Sequence, residues 1–191
     1  MKTVLSRVKL GLVVALVVTF LGTSVVFSAE PKGVRKYPIP EHGMLELNVP
    51  NSWQDKVHKP QENLPPTIVL TPASGGDFQV LISVRWSKKG DPGFNRPEKA
   101  RALVGKDGQK ILPKTVETKI VLQEMKGVDN TGYFFSVTDK APEPGEFRYM
   151  TQGKIGVGKL LLGFTVLTRV RDSESLKEAL SMIREARQST K

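Results

Sequence analysis

Leu160-Leu161-Leu162-Gly163-Phe164-Thr165-Val166-Leu167-Thr168 is followed, a short turn later, by Ser173-Glu174-Ser175-Leu176-Lys177-Glu178-Ala179-Leu180-Ser181-Met182-Ile183-Arg184. The first run is almost continuously apolar, which predicts a central β-strand covered on both faces. In the second, Leu176, Ala179, Leu180 and Ile183 recur at helical spacing, with Lys177, Glu178, Arg184 and Glu185 turned outward. Asp172 or Ser173 is placed to cap its start. A buried strand feeding an amphipathic helix predicts that the helix lies across the sheet. The fold class that follows is α+β.

Working back from that pair, Val116 to Val170 reads as a β-meander. Its strands are Val116–Met125, Tyr133–Thr138, Phe147–Ile155 and Lys159–Val170. Turns fall at Gly127–Gly132, Pro142–Gly145 and Gly156–Gly158. Earlier still, Leu45, Leu47 and Val49 share one face of a strand. Thr67–Thr71 makes a second, and Phe78, Val80, Ile82 and Val84 alternate through a third that runs to Trp86. Between these halves Asn95 precedes Pro97 as a helix start, and Ala100, Leu103 and Val104 share a face. Gly105 or Gly108 is the expected end. Residues 30–43, with Pro31, Gly33, Pro38, Pro40 and Gly43, read as a linker, leaving 44–191 as a single domain.

The N-terminus speaks of destination. Lys2, Arg7 and Lys9 precede the apolar run Leu10–Leu21, and small residues lead to Val26-Phe27-Ser28-Ala29. A basic start, an apolar core and a small-residue exit form the layout of a secretory signal over residues 1–29. Export to the periplasm or the extracellular space is the expectation, with no transmembrane segment after cleavage. The competing reading is an uncleaved inner-membrane anchor, since Leu10 to Ala29 carries no charge.

The 162 residues that remain suffice for one domain with its own core. Cysteine is absent, which excludes disulfides, thiol nucleophiles, cysteine-ligated metals and a cysteine-linked lipid anchor. The formal charge is +10, and residues 85–119 alone hold ten bases against four acids. A field so placed favours a protein partner with an acidic surface or an anionic envelope surface. Nucleic acid is not expected, because no binding motif accompanies the charge.

Catalytic signatures fail one by one. Gly153-Lys154-Ile155-Gly156-Val157-Gly158-Lys159 matches most of a phosphate-cradling loop, but Leu160 stands where the magnesium-binding hydroxyl belongs and a strand follows instead of a helix. It reads as a hairpin turn. His42 and His58, the two histidines, sit beside Pro/Gly-rich loops without carboxylates at ligand spacing. No serine lies in a nucleophile elbow. Asp129 and Asp139 read as turn residues, and Trp53 and Trp86 as packing at strand ends. The sequence therefore predicts no catalytic residue, no cofactor and no metal. Its one candidate contact set is for a partner: Arg85, Trp86, Lys88, Lys89 and Arg96, a basic cluster beside an aromatic.

Three segments carry a family likeness. Leu47-Asn48-Val49-Pro50-Asn51-Ser52-Trp53 resembles the strand and V-P-x-x-W opening of PsbP-like domains. Gly127 to Phe135 is similar to their G…G-Y-x-F stretch, and Leu160–Thr168 with Leu176–Arg184 to their closing strand and helix. The resemblance, to the PsbP-like and Mog-like domains, implies an antiparallel sheet sandwiched between helices. It also implies docking or assembly rather than catalysis, in an exported bacterial member without the lipid-anchoring cysteine. The function expected on this basis is a non-enzymatic binding or assembly protein acting through protein or envelope-surface contacts. The alternative is a small-ligand carrier or hydrolase with a pocket between sheet and helix, and the shape of the cavity separates the two.

Overall fold

A computed structural model describes residues 31–58, 66–87 and 90–189. The signal expected at residues 1–29 lies outside the described residues. Two antiparallel sheets, two α-helices and a short 3-10 turn at Leu112–Lys114 make up the described chain. The smaller sheet holds β1 (Lys32–Ile39), β2 (Gly43–Pro50) and β10 (Arg187–Ser189) in the order β1-β2-β10. The larger holds β3 (Trp53–His58), β4 (Thr67–Pro72), β5 (Phe78–Trp86), β6 (Gln123–Lys126), β7 (Thr131–Thr138), β8 (Tyr149–Val157) and β9 (Leu160–Thr168). Its order is β3-β4-β5-β9-β8-β7-β6, so β9 is the middle strand. Helix α1 (Pro97–Ile111) packs on β7 and β8. Helix α2 (Glu174–Arg184) packs on β2 and β9. Neither of the two is long and apolar enough to cross a membrane.

One face of the large sheet is closed. Val80, Ile82 and Val84 of β5 and Leu160, Leu162, Phe164 and Val166 of β9 join Leu45, Leu47 and Val49 of β2, and Met182 and Ile183 of α2, in one buried cluster. Complete burial of a Leu or Ile side chain stabilises by about 1.5–3 kcal/mol, so this cluster dominates the fold. Ser173 caps α2 by accepting the Leu176 backbone N–H at 3.2 Å, as its sequence position predicts.

The expected linker at residues 30–43 is corrected: Lys32–Ile39 is strand β1, paired with β2 along its whole length. Only Tyr37 and Ile39 of it are buried, too few to show an alternating pattern. Pro38 is tolerated because β1 is an edge strand. The domain thus begins before residue 44.

The strand expected over Val116–Met125 shrinks to Gln123–Lys126. The preceding residues instead run along the outer edge of β7 beside α1, from the Thr115–Asp139 bridge to the Gln123–Phe134 pair, with Ile120 and Leu122 packed on a second small cluster of Val104, Phe135 and Val137. A clasp holds this flanking segment to β7. Glu117 accepts the Thr138 backbone N–H at 2.8 Å and its hydroxyl at 2.9 Å. Burial works against the Glu117 charge, but those two bonds and nearby Arg171 hold its carboxyl below the usual carboxylate range.

Helix α1 also runs past Gly105 and Gly108. A Cβ on Gly108 would lie 2.8 Å from Ile120, so glycine is needed there for close packing rather than for ending the helix. Its N-cap is Arg96, without a side-chain bond. Asn95 donates across the fold, to the carbonyls of Gly158 at 2.7 Å and Leu160 at 3.1 Å.

Candidate functional site: a basic groove on the open face of the sheet

Successive residues of a strand point to opposite faces, so the closed face dictates the composition of the other. On β5 the outward set is Leu81, Ser83 and Arg85, and on β9 it is Leu161, Gly163 and Thr165. Helix α1 covers the β7–β8 half of this face and stops short of the β5–β9 half. The expectation that β9 is covered on both faces therefore holds for one face only. Leu161 is buried, but Gly163, Thr165 and Leu167 are half-exposed.

What remains is a groove of about 500 Å³ between the C-terminal part of α1 and the sheet. Its floor is set by strand register. Ser83 pairs with Gly163, and Gly163 with Lys154 of β8, in one row. Leu81, Thr165 and Gln152 form the next row. Gln152 Nε2 donates to Thr165 Oγ1 at 3.4 Å, and the Ser83 and Thr67 hydroxyls lie 3.5 Å apart. The wall carries Asp107, Lys110 and Lys114, and Lys154 Nζ pairs with the Asp107 carboxylate across the groove at 2.5 Å.

Four bases, Arg85, Lys110, Lys114 and Lys154, thus face one acid, Asp107. Arg85, Lys110 and Lys114 are exposed and make no ion pair among the described residues. Bases crowded over a low-dielectric wall raise the local concentration of anionic partners. Polar hydroxyl and amide groups on the floor offer hydrogen bonds to whatever the charge attracts.

Of the residues expected to form the partner site, the three that are described, Arg85, Trp86 and Arg96, do not come together. Arg85 lines the groove. Trp86, its neighbour in the strand, points to the opposite face, where its ring sits 4.9 Å from the His42 ring and packs against the core. Arg96 is exposed at the N-terminal end of α1, a helix roughly 22 Å long, whereas the groove lies at the other end. Lys88 and Lys89 lie outside the described residues. Lys110, Lys114 and Lys154 were not singled out by sequence. The surplus of base over residues 85–119 and the four-residue spacing of Lys110 and Lys114 were the available signals for two of them.

The remaining candidates have structural partners. Trp53 is buried with its ring 4.4 Å from Phe78. Asp129 accepts the Gly158 backbone N–H at 3.2 Å and Asp139 that of Ala141 at 2.9 Å, both at turns. The glycine-rich run is strand β8 through Val157, then a turn at Gly158, whose φ is 55°. Among the described residues no group of three or more His, Asp or Glu side chains is placed to hold a metal ion.

No family model matches the chain, and no curated protein sequence does. A solved structure does: cyanobacterial PsbP (CyanoP) from Synechocystis sp. PCC 6803, determined in solution. It aligns with a TM-score of 0.53 over 88% of this chain and 99% of its own, at 10% identity. The fold is PsbP-like. The sandwich of helices about an antiparallel sheet is therefore the arrangement that the sequence segments implied. A crystal structure from Bacteroides thetaiotaomicron is a looser match, with a TM-score of 0.39 over 77% of this chain and 46% of that one, at 11% identity. At such identities a PsbP-like fold carries no site residue with it, and the groove stands on its own geometry.

Proposed function

We propose that this protein is an exported, non-enzymatic docking protein that binds a partner with an acidic surface through the basic groove. The observation that carries the reading is the half-covered sheet face, where three exposed bases without acid partners among the described residues border a polar floor. A carrier or hydrolase calls for a chamber that closes around its ligand, whereas this groove has exposed walls and a half-buried floor. Export is supported by the layout of residues 1–29. The protein recovered outside the cytoplasm should begin at Ala29 or Glu30 by mass spectrometry.

Binding is tested with envelope fractions passed over the immobilised protein. Retention should fall steeply as salt rises, because charges farther apart than about 8 Å are screened at physiological ionic strength. Joint replacement Arg85→Glu, Lys110→Glu and Lys114→Glu should abolish it while leaving the melting temperature nearly unchanged, since exposed charges contribute little to stability. Reversal of Lys177 and Arg187, away from the groove, should leave it intact. If the triple variant retains the same proteins as wild type, the docking reading fails.

A further inference from the structure

We propose that the groove takes an extended acidic peptide segment laid over Gly163, with carboxylates at alternate positions meeting Arg85 and the Lys110–Lys114 wall. This deepens the docking reading above and rests on it.

The carrying observation is a glycine that the fold does not require. Three other strand glycines are explained by packing. A Cβ would come within 2.7 Å of a neighbour at Gly132, and within 2.4 Å at both Gly153 and Gly156. Gly163 is different. It lies within the middle strand of seven, its φ is not positive, and a Cβ there would meet only the Ser83 carbonyl oxygen, at 3.9 Å. Alanine fits the fold at this position. Glycine inside a strand weakens it, and marks a bulge, a bend or a place where another chain or ligand comes close. Here β9 pairs without a break on both sides, so neither bulge nor bend accounts for the residue. Close approach remains.

The missing side chain leaves a trough in the row Ser83–Gly163–Lys154. Along the strands the floor from Leu81 to Arg85 spans about 13 Å, room for roughly four extended residues. Across the strands it spans two spacings, about 9.6 Å, narrower than the 10–12 Å of a helix with its side chains. An extended segment is therefore the shape that reaches the floor. In such a segment side chains on one side repeat every 6.6–6.8 Å or so. Lys110, in the last turn of α1, and Lys114, at the end of the 3-10 turn that follows it, stand four residues apart on the wall. Ser83, Thr165 and Gln152 supply hydrogen-bonding groups for the peptide backbone. A flat anionic membrane would engage the rim bases and be indifferent to the floor.

The test uses the full-length protein and three probes. These are a fluorescent octapeptide alternating Glu with Thr, an octapeptide of the same composition with its glutamates contiguous, and vesicles of phosphatidylcholine with one third phosphatidylglycerol. Wild type should bind the alternating peptide in preference to the contiguous one. Gly163→Val, which fills the trough without altering charge, should weaken it by at least about tenfold, with a melting temperature no lower than wild type. Gly163→Ala, whose Cβ meets nothing closer than 3.9 Å, guards against misfolding of the valine variant and should show a smaller loss of the same sign. The Arg85, Lys110 and Lys114 triple reversal should also lose binding.

If Gly163→Val binds as wild type while the triple reversal does not, the trough is not the seat and this inference is overturned, with the docking reading intact. Equal affinity for the two peptides overturns the alternate spacing, and hence the extended seat. Binding to vesicles but not to peptide overturns the inference in favour of a lipid surface. If neither the valine variant nor the triple reversal changes peptide binding, the groove is not used and both readings fall.

Discussion

The two faces of the large sheet are built from the same strands and do opposite things. On β5, Phe78, Val80, Ile82 and Val84 are buried, while Leu81, Ser83 and Arg85, set between them, face the groove. On the closed face a second sheet and α2 complete a cluster that includes Trp53, Phe164 and Met182. On the open face α1 rests on a much smaller cluster, built around Val104, Phe135 and Val137. Stability is concentrated on one side, which leaves the other free to carry charge, hydroxyls and a bare glycine. An exposed polar face is tolerable only because the opposite one buries so much.

The largest expected effect comes from breaking the closed face. Ile183 is 0% exposed at the centre of the α2 contact. Ile183→Asp leaves a charge there without a partner and should cost about 4 kcal/mol or more by urea unfolding. A variant that unfolds with wild type would mean that α2 does not seal this face. Next comes the open face: Val104, 1% exposed on the sheet-facing side of α1, loses two carbons in Val104→Ala, for about 2 kcal/mol. A loss matching that of Ile183→Asp would erase the proposed inequality between the faces.

The smallest effects at neutral pH become visible at the extremes, and they divide the faces again. Glu117, on the segment flanking β7, has a carboxyl held below its ordinary value. The stabilisation it supplies is present above the unfolded-state value near 4.5 and is lost as pH falls through the folded one. Tyr37, on β1 of the closed face, is the reverse case. Burial, and then the neighbouring Asp55 carboxylate, push ionisation of its phenol well above 10, and the hydroxyl has no hydrogen-bond partner among the described residues. Its contribution is intact below pH 10 and is lost as pH rises past it, because only the unfolded chain then ionises. Glu117→Gln should flatten the acid limb of a stability profile. Tyr37→Phe should flatten the alkaline limb while changing neutral stability by less than about 1 kcal/mol. Unaltered limbs would show that neither group sets the range.

Where burial was one-sided and long, the sequence disclosed the structure. β5, β9 and α2 follow from alternation and helical periodicity, and Ser173 caps as expected. The elements that escaped are edges. β3 has one buried residue, Trp53, followed by five exposed ones, and β10 is three residues long. Strands recruited by pairing alone leave no apolar period to read. The segment at 116–122 misled for the opposite reason: Ile120 and Leu122 are apolar because they pack on the cluster shared by α1 and β7, without the segment pairing as a strand. Among the site residues Arg85 was legible. Pairing it with Trp86 was not sound, since adjacent residues on a strand face apart. Lys154 enters from β8, and only the register across β9 brings it to Arg85's side of the sheet.

One contact also governs the order in which this architecture can be completed. Strand β2 has β1 on one flank and β10 on the other, where Ser189 Oγ bonds Glu46 at 2.8 Å and Gln188 Nε2 reaches the His42 carbonyl at 2.7 Å. Those partners lie 143 and 146 residues apart in the chain. The β1–β2 hairpin is local and can form as soon as it is synthesised, but its second flank waits for Arg187–Ser189 to arrive. Pairings of that span are slow, because the loop must close before any contact rewards it. Until then β2 offers an unpaired edge beside Leu45 and Leu47, a template for joining another copy. A nascent chain halted short of Arg187 should therefore self-associate, whereas the finished one closes its own edge.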